Sequence, residues 1–220
     1  MDTKIENNEE QRIMIAAGMS LLHPLISTRK STRAFSEKPV EPEKLRSILE
    51  AARWAPSASN IQPWRFVVAV KDRSEDHERM ANLLFEGNRI WAEKASVLLL
   101  SVAQVTDAAS GKANKFALHD VGLATENLAL QATSMGLTAH LMGGFHVDRA
   151  RATFNIPGEY EPVAIIALGY EGTAEFLPKT LIDRELAPRF RKPLSEIVYG
   201  NIWGAPLSEL SNERTSIFNN

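Results

Sequence analysis

The chain has no cysteine among its 220 residues, which excludes disulfides, thiol redox chemistry, iron–sulfur clusters and cysteine-ligated zinc. It also lacks a G-x-G-x-x-G turn, and its Gly111-Lys112 pair has no glycine five residues upstream of Gly111. Neither a dinucleotide-binding Rossmann turn nor a phosphate-cradling P-loop is therefore available. There is no H-E-x-x-H and no G-x-S-x-G elbow, so zinc-protease and hydrolase signatures are missing too. Charge of one sign is not in excess: 25 Lys+Arg face 27 Asp+Glu, a net −2, which gives nucleic acid no bulk attraction. The longest apolar run, 95–103, falls far short of the ~20 residues that span a bilayer. The opening MDTKIENNEE is too polar and acidic for a secretory signal. A soluble, cytoplasmic protein is expected.

What is present suits one globular domain. With 44 % hydrophobic and 24 % charged residues, the chain can bury a sizeable core. Ile13, Met14, Ala17 and Leu21 predict a helix over 10–22. Pro42 opens a second helix, where its missing N–H costs nothing; Leu45, Ile48, Leu49 and Ala52 form its stripe and Pro56 stops it. FVVAV at 66–70 reads as a short, fully buried strand, followed by a helix carrying Met80, Leu83 and Leu84 and a strand over 96–102. The strongest helical pattern covers 115–135, closed by Gly136 as its C-terminal cap. Strands follow at 137–142 and 162–169. Strands interspersed among helices predict an α+β or α/β layer fold. Beyond Pro178 the chain turns basic and irregular, with Arg184, Arg189, Arg191 and Lys192 ahead of an apolar piece at 197–203. Apolar terminal segments with no place in a four-strand core read as arms around a partner subunit.

Four stretches offer chemistry. In RKSTRAF, alternation along an extended segment puts Arg29, Ser31 and Arg33 on one face and Lys30 and Thr32 on the other. Two guanidiniums beside a hydroxyl make an anion cradle, although from this heptamer alone a solvated basic turn is the stronger reading. APSASNIQPWRF joins a helix end to a strand. Its Ser57, Ser59, Asn60 and Gln62 exceed what a plain connector needs, while Trp64 suits a core anchor. The Gly143-Gly144 pair after a strand lets backbone N–H groups approach a ligand, or simply permits a turn. RFRKPL at 189–194 is phosphate-compatible, or a surface run. His140 and His146 lie six apart and read as structural or solvent-facing; no metal site is expected.

Together these stretches carry a resemblance. RKSTRAF, APSASNIQPWRF, DVGLATENLALQATSMGLTAHLMGGF and RKPLSEIVYGNIWG resemble, in order, the motifs of the FMN-dependent nitroreductase family over about 24–204. The resemblance implies an α+β fold with a central, mostly antiparallel sheet flanked by helices, in a domain-swapped homodimer with FMN at the interface. It implies three parts: an N-terminal helical extension (1–23), the FMN-binding domain (24–204) and a C-terminal tail (205–220). Arg29, Lys30 and Ser31 would hold the FMN phosphate and ribityl chain, joined by Arg189 and Arg191. Arg33 would face the N1–C2 edge, where a fixed cation favours the reduced flavin. Pro56, Ser57, Ala58 and Asn60 would reach FMN from the other subunit. The N–H groups of Gly143 and Gly144 would face N5 and O4, with Leu141 against the ring and Asn88 on the pyrimidine. Some members carry lysine where this chain has Trp91, which would then shape the pocket. The implied activity is ping-pong hydride transfer from NADH or NADPH through flavin N5 to a nitroaromatic, quinone or similar acceptor, with no catalytic protein residue. Reductive dehalogenation, flavin cleavage (with 105–114 as a substrate lid) and flavin binding without turnover are the competing readings.

Overall fold

A computed structural model describes residues 22–107, 110–207 and 217–218; all of the expected first helix but Leu22 lies outside them. Its contacts divide the chain into two units, Thr28–Glu185 and Met1–Ser27 with Leu186–Asn220.

The first unit is built on β1 (Trp64–Val70), β2 (Val97–Gln104), β3 (Thr138–Met142) and β4 (Tyr160–Gly169). All neighbours are antiparallel, in the order β1-β2-β4-β3. Strand side chains alternate between faces, and the two central strands use both. Val97, Leu99 and Ala103 of β2 join Ile166 and Leu168 of β4 in one apolar cluster, while Leu98, Leu100 and Val102 join Ile165 and Ala167 in the other. The register shifts between Ser101, opposite Ala164, and Val102, opposite Pro162. A proline has no N–H to give to a ladder, so it suits this irregular point. β1 is an edge strand with Val68 36 % exposed, not the fully buried strand that FVVAV suggests. An unbroken apolar run does not tell an edge from a centre.

Helices cover both faces. Among the described residues the α-helices are, in chain order, α1 (Pro24–Thr28), which belongs largely to the second unit, α2 (Pro42–Arg53), α3 (Ser74–Ala81), α4 (Glu86–Ala92), α5 (Ala117–Ser134), α6 (Val147–Thr153) and α7 (Lys179–Leu186). α2 and α5 pack Ile48, Ala52, Val121, Ala124, Leu128 and Ala132 on one side. Met80 and Ala81 of α3, Trp91 and Ala92 of α4, Ala150 of α6 and Leu181 of α7 fill the other. Each fully buried leucine or isoleucine contributes ~1.5–3 kcal/mol.

Local signals hold well where they are strong. Pro42 opens α2. Gly136 has φ +72°, with Leu137 N donating to Ala132 O at 2.9 Å and Gly136 N to Thr133 O at 3.1 Å, the paired bonds of a glycine-terminated helix. Two expectations change. The helix expected to carry Met80, Leu83 and Leu84 ends at Ala81, and Leu84 instead bridges to Phe145. The stretch beyond Pro178, expected to be irregular, contains α7, whose single buried residue, Leu181, leaves no periodic stripe to read.

In the second unit a two-residue strand β5 (Arg189–Phe190) pairs with β6 (Ile217–Phe218). Tyr199 bridges to Pro206, and its ring lies 5.0 Å from that of Trp203.

Candidate functional site

The basic segment 29–33 is held in place by β3. Thr138 Oγ1 donates to the Lys30 carbonyl at 3.3 Å, and His140 Nδ1 lies 2.9 Å from the Thr32 carbonyl. Thr138 and His140 are two apart on a strand and so share a face; they meet carbonyls that are themselves two residues apart. A carbonyl only accepts, so this bond places the His140 proton on Nδ1. Burial pushes the His140 pKa below its ordinary 6.5, which keeps the ring neutral and structural near pH 7.

Within the segment, Arg29 Nη1 reaches Ser31 Oγ at 3.4 Å, as alternation predicts. Lys30 on the other side pairs with Glu171 at 2.6 Å. Arg33 departs from the simple pattern. Its backbone N–H donates to Glu185 Oε2 at 2.9 Å, its Nη1 lies 3.9 Å from the same carboxylate, and the Thr32 hydroxyl also donates to Glu185. Arg33 and Thr32 therefore converge on one anion instead of pointing apart.

β3 runs into the glycine turn. Leu141 is 37 % exposed at its end and Gly143 is exposed. Neither Gly143 nor Gly144 has a positive φ, so turn conformation is not why glycine sits there. The reason at 144 is steric: an added Cβ would stand 2.7 Å from Asn88 Nδ2. That amide donates to Gly144 O at 3.1 Å, and Phe85 N donates to the same oxygen at 3.0 Å. Asn88 is thus brought to the glycine turn. Phe85, 48 % exposed and edge-on to His146 at 4.8 Å, joins it without having been singled out in the sequence. Trp91 does not line a cleft. It is 1 % exposed, donates to Gly87 O at 3.0 Å, and lies between Phe35 and His140 at 6.2 and 4.5 Å, a core position that removes it from the pocket expected of it.

The 56–62 loop forms a second group. Ser59, Asn60 and Gln62 have φ of 51°, 56° and 53°, left-handed values that cost non-glycine residues ~1–2 kcal/mol each. Side chains offset that cost. Ser57 Oγ accepts from Gln62 N at 3.0 Å, and Asp120 Oδ2 accepts from Ala58 N at 3.0 Å. Asp120 is 2 % exposed, and its other oxygen lies 3.0 Å from His119 Nδ1. Pro56, Ser57, Ala58, Phe116, His119, Asp120 and Leu123 line a cavity of about 320 Å³. No residue of the first group lines it, and Asn60 lies on the loop's exposed side. The positive backbone angles were not legible in APSASNIQPWRF, because only Asn among the three favours them.

Arg189 and Arg191 belong to the second unit, where Arg189 Nη2 donates to Ser27 O at 2.7 Å and Arg191 Nη1 to Phe190 O at 2.8 Å. The 105–114 segment closes on itself, with Asn114 N donating to Val105 O and Thr106 bridged to Ala113. Among the described residues no group of histidines and carboxylates could hold a metal, and no helix is long and apolar enough to cross a membrane. Cations and a hydroxyl on a segment tied to β3, and an amide at the glycine turn that follows β3, are groups that suit an anionic, heteroatom-rich ligand.

The family model described as "Nitroreductase family" matches residues 26–99 and 78–170. A crystal structure of an oxidoreductase containing FMN is 40 % identical, with a TM-score of 0.80, covering 84 % of this chain and 94 % of that one. The NADH dehydrogenase of Thermus thermophilus is 28 % identical over 201 residues, covering 77 % of this chain and 91 % of that protein. The FMN reductase (NAD(P)H) of Bacillus subtilis is 28 % identical over 176 residues, covering 80 % of this chain and 64 % of that protein.

Proposed function

Because the chain belongs to the nitroreductase family, we propose that it is an NAD(P)H-dependent oxidoreductase that carries FMN and works by ping-pong exchange. NAD(P)H and the electron acceptor, a nitroaromatic, a quinone or a similar compound, occupy the same cleft in turn. FMN supplies the hydride chemistry at N5; the protein binds, orients and shields.

Arg29, Lys30 and Ser31 hold the phosphate and ribityl chain, with Arg189 and Arg191 completing the cationic set. Charge-assisted bonds are about twice as strong as neutral ones, so guanidiniums suit a dianion. Arg33 faces the electron-rich edge of the ring. Gly143 and Gly144 present backbone at N5 and O4, Leu141 packs on the ring and Asn88 addresses the pyrimidine. Pro56, Ser57, Ala58 and Asn60 come from the second subunit of a homodimer. What carries the reading is the tie between segment 29–33 and β3 through Thr138 and His140, which puts the cations alongside the strand that leads to Gly144 and Asn88. The residues fit the group: the donors suit a phosphate, and the turn has no side chain to obstruct a ring.

The test is anaerobic stopped-flow on the purified protein. It is expected to be yellow, to bleach rapidly with NADH or NADPH, and to recover colour on mixing with nitroaromatics or quinones. A colourless protein that FMN cannot reconstitute overturns the proposal; a yellow one that NAD(P)H cannot bleach reduces it to flavin binding without turnover.

A further inference from the structure

Glu185 belongs to none of the motifs, yet it touches the cationic segment at three points. Its side chain is 8 % exposed. It accepts from the hydroxyl of Thr32, itself 1 % exposed, and from the backbone N–H of Arg33 at 2.9 Å, with Arg33 Nη1 at 3.9 Å. A carboxylate withdrawn from water is tolerated only when its oxygens are satisfied, and these donors come from two adjacent residues 152 and 153 positions away. The hydroxyl and amide bonds fix the backbone at 32–33. The guanidinium adds a second effect: a carboxylate 3.9 Å from Arg33 Nη1 offsets part of that residue's positive charge.

We propose that Glu185 is a positioning residue for the flavin site: it fixes the orientation of the 29–33 segment and attenuates the charge of Arg33, holding the reduction potential of bound FMN below the value Arg33 alone would set. The inference rests on the FMN reading above. Reduction puts negative charge on the ring edge that Arg33 faces, so a stronger cation there stabilises the reduced form and raises the potential.

The experiment compares FMN affinity and midpoint potential, by dye equilibration, in wild type, E185Q, E185D and E185A. E185Q keeps one acceptor oxygen, which can take the Arg33 N–H, while its amide N–H can donate to the Thr32 hydroxyl oxygen; the charge is lost, so FMN binding persists and the potential moves positive. E185D keeps the charge, drawn back by one methylene, and gives a smaller positive shift. E185A loses the anchor as well, and its FMN dissociation constant rises roughly tenfold, as for loss of a hydrogen bond to a charged group. Unchanged or negative-going potentials in E185Q and E185D overturn the proposal. Should E185Q not fold, E185D decides alone: a wild-type potential there makes Glu185 a structural anchor only and also overturns it. Failure of the wild-type chain to take up FMN defeats the cofactor reading, and this inference with it, before any variant is compared.

Discussion

The two polar groups of the first unit, segment 29–33 beside β3 and loop 56–62 beside α5, are each held by a buried carboxylate, but for different reasons. Glu185 grips an unstrained segment that already leans on Thr138 and His140. Asp120 grips a loop with three non-glycine residues in left-handed conformation. In the first group the carboxylate adjusts charge and orientation on a segment that two bonds to β3 also hold. In the second it holds a backbone that would otherwise relax. A buried carboxylate on a backbone N–H thus serves tuning in one place and restraint in the other.

Several substitutions press on that difference. The largest effect is expected from Arg29→Ala: losing a hydrogen bond to a charged phosphate costs ~1.5–3 kcal/mol, a roughly 10- to 150-fold weaker FMN dissociation constant. The melting temperature of the FMN-free protein stays near wild type. Retained affinity in a fluorescence titration would mean that the phosphate lies elsewhere. Asp120→Ala leaves the Ala58 N–H without its acceptor, so unfolding by urea shows a loss of ~1–3 kcal/mol. If stability is unchanged, the restraint ascribed to Asp120 is wrong. Ser59→Gly removes a left-handed penalty while adding glycine's chain entropy, for a net gain of about 0.5 kcal/mol; a loss in the same measurement would show that Ser59 is not strained.

The smallest effect is a dependence on pH. Burial lowers the pKa of both His140 and His77 from 6.5, so the unfolded chain takes up these protons first. The stability they contribute is complete above pH 6.5 and is lost as pH falls below it. A lower melting temperature at pH 5.5 than at pH 7.5 is expected, with the difference shrinking in His140→Asn; an identical difference in that variant would remove His140 from the account.

Parts of the candidate site are legible in the sequence where they are local. RKSTRAF put Arg29 and Ser31 on a common face, and they hydrogen-bond each other. Asn88 was legible only through the family resemblance, since one asparagine in a short helix carries no pattern. Arg33 was misplaced by alternation alone, because a carboxylate from the far end of the unit redirects it. Trp91 belongs to the core and not to a pocket, which a substitution relative to relatives does not reveal, because it says nothing about burial. Phe85 had no signal beyond being an aromatic residue.

By itself the sequence determined the strands with two-sided apolar faces, the entry to α2 at Pro42 and the exit from α5 at Gly136, because these depend on neighbours within a turn or a pleat. The tertiary structure alone decided that Glu185 meets Thr32 across 153 positions, that Asp120 meets Ala58 across 62, and that an edge position half-exposes β1. Such pairings follow from how packed layers bring distant segments together, and a contact between distant segments imprints no period on either one.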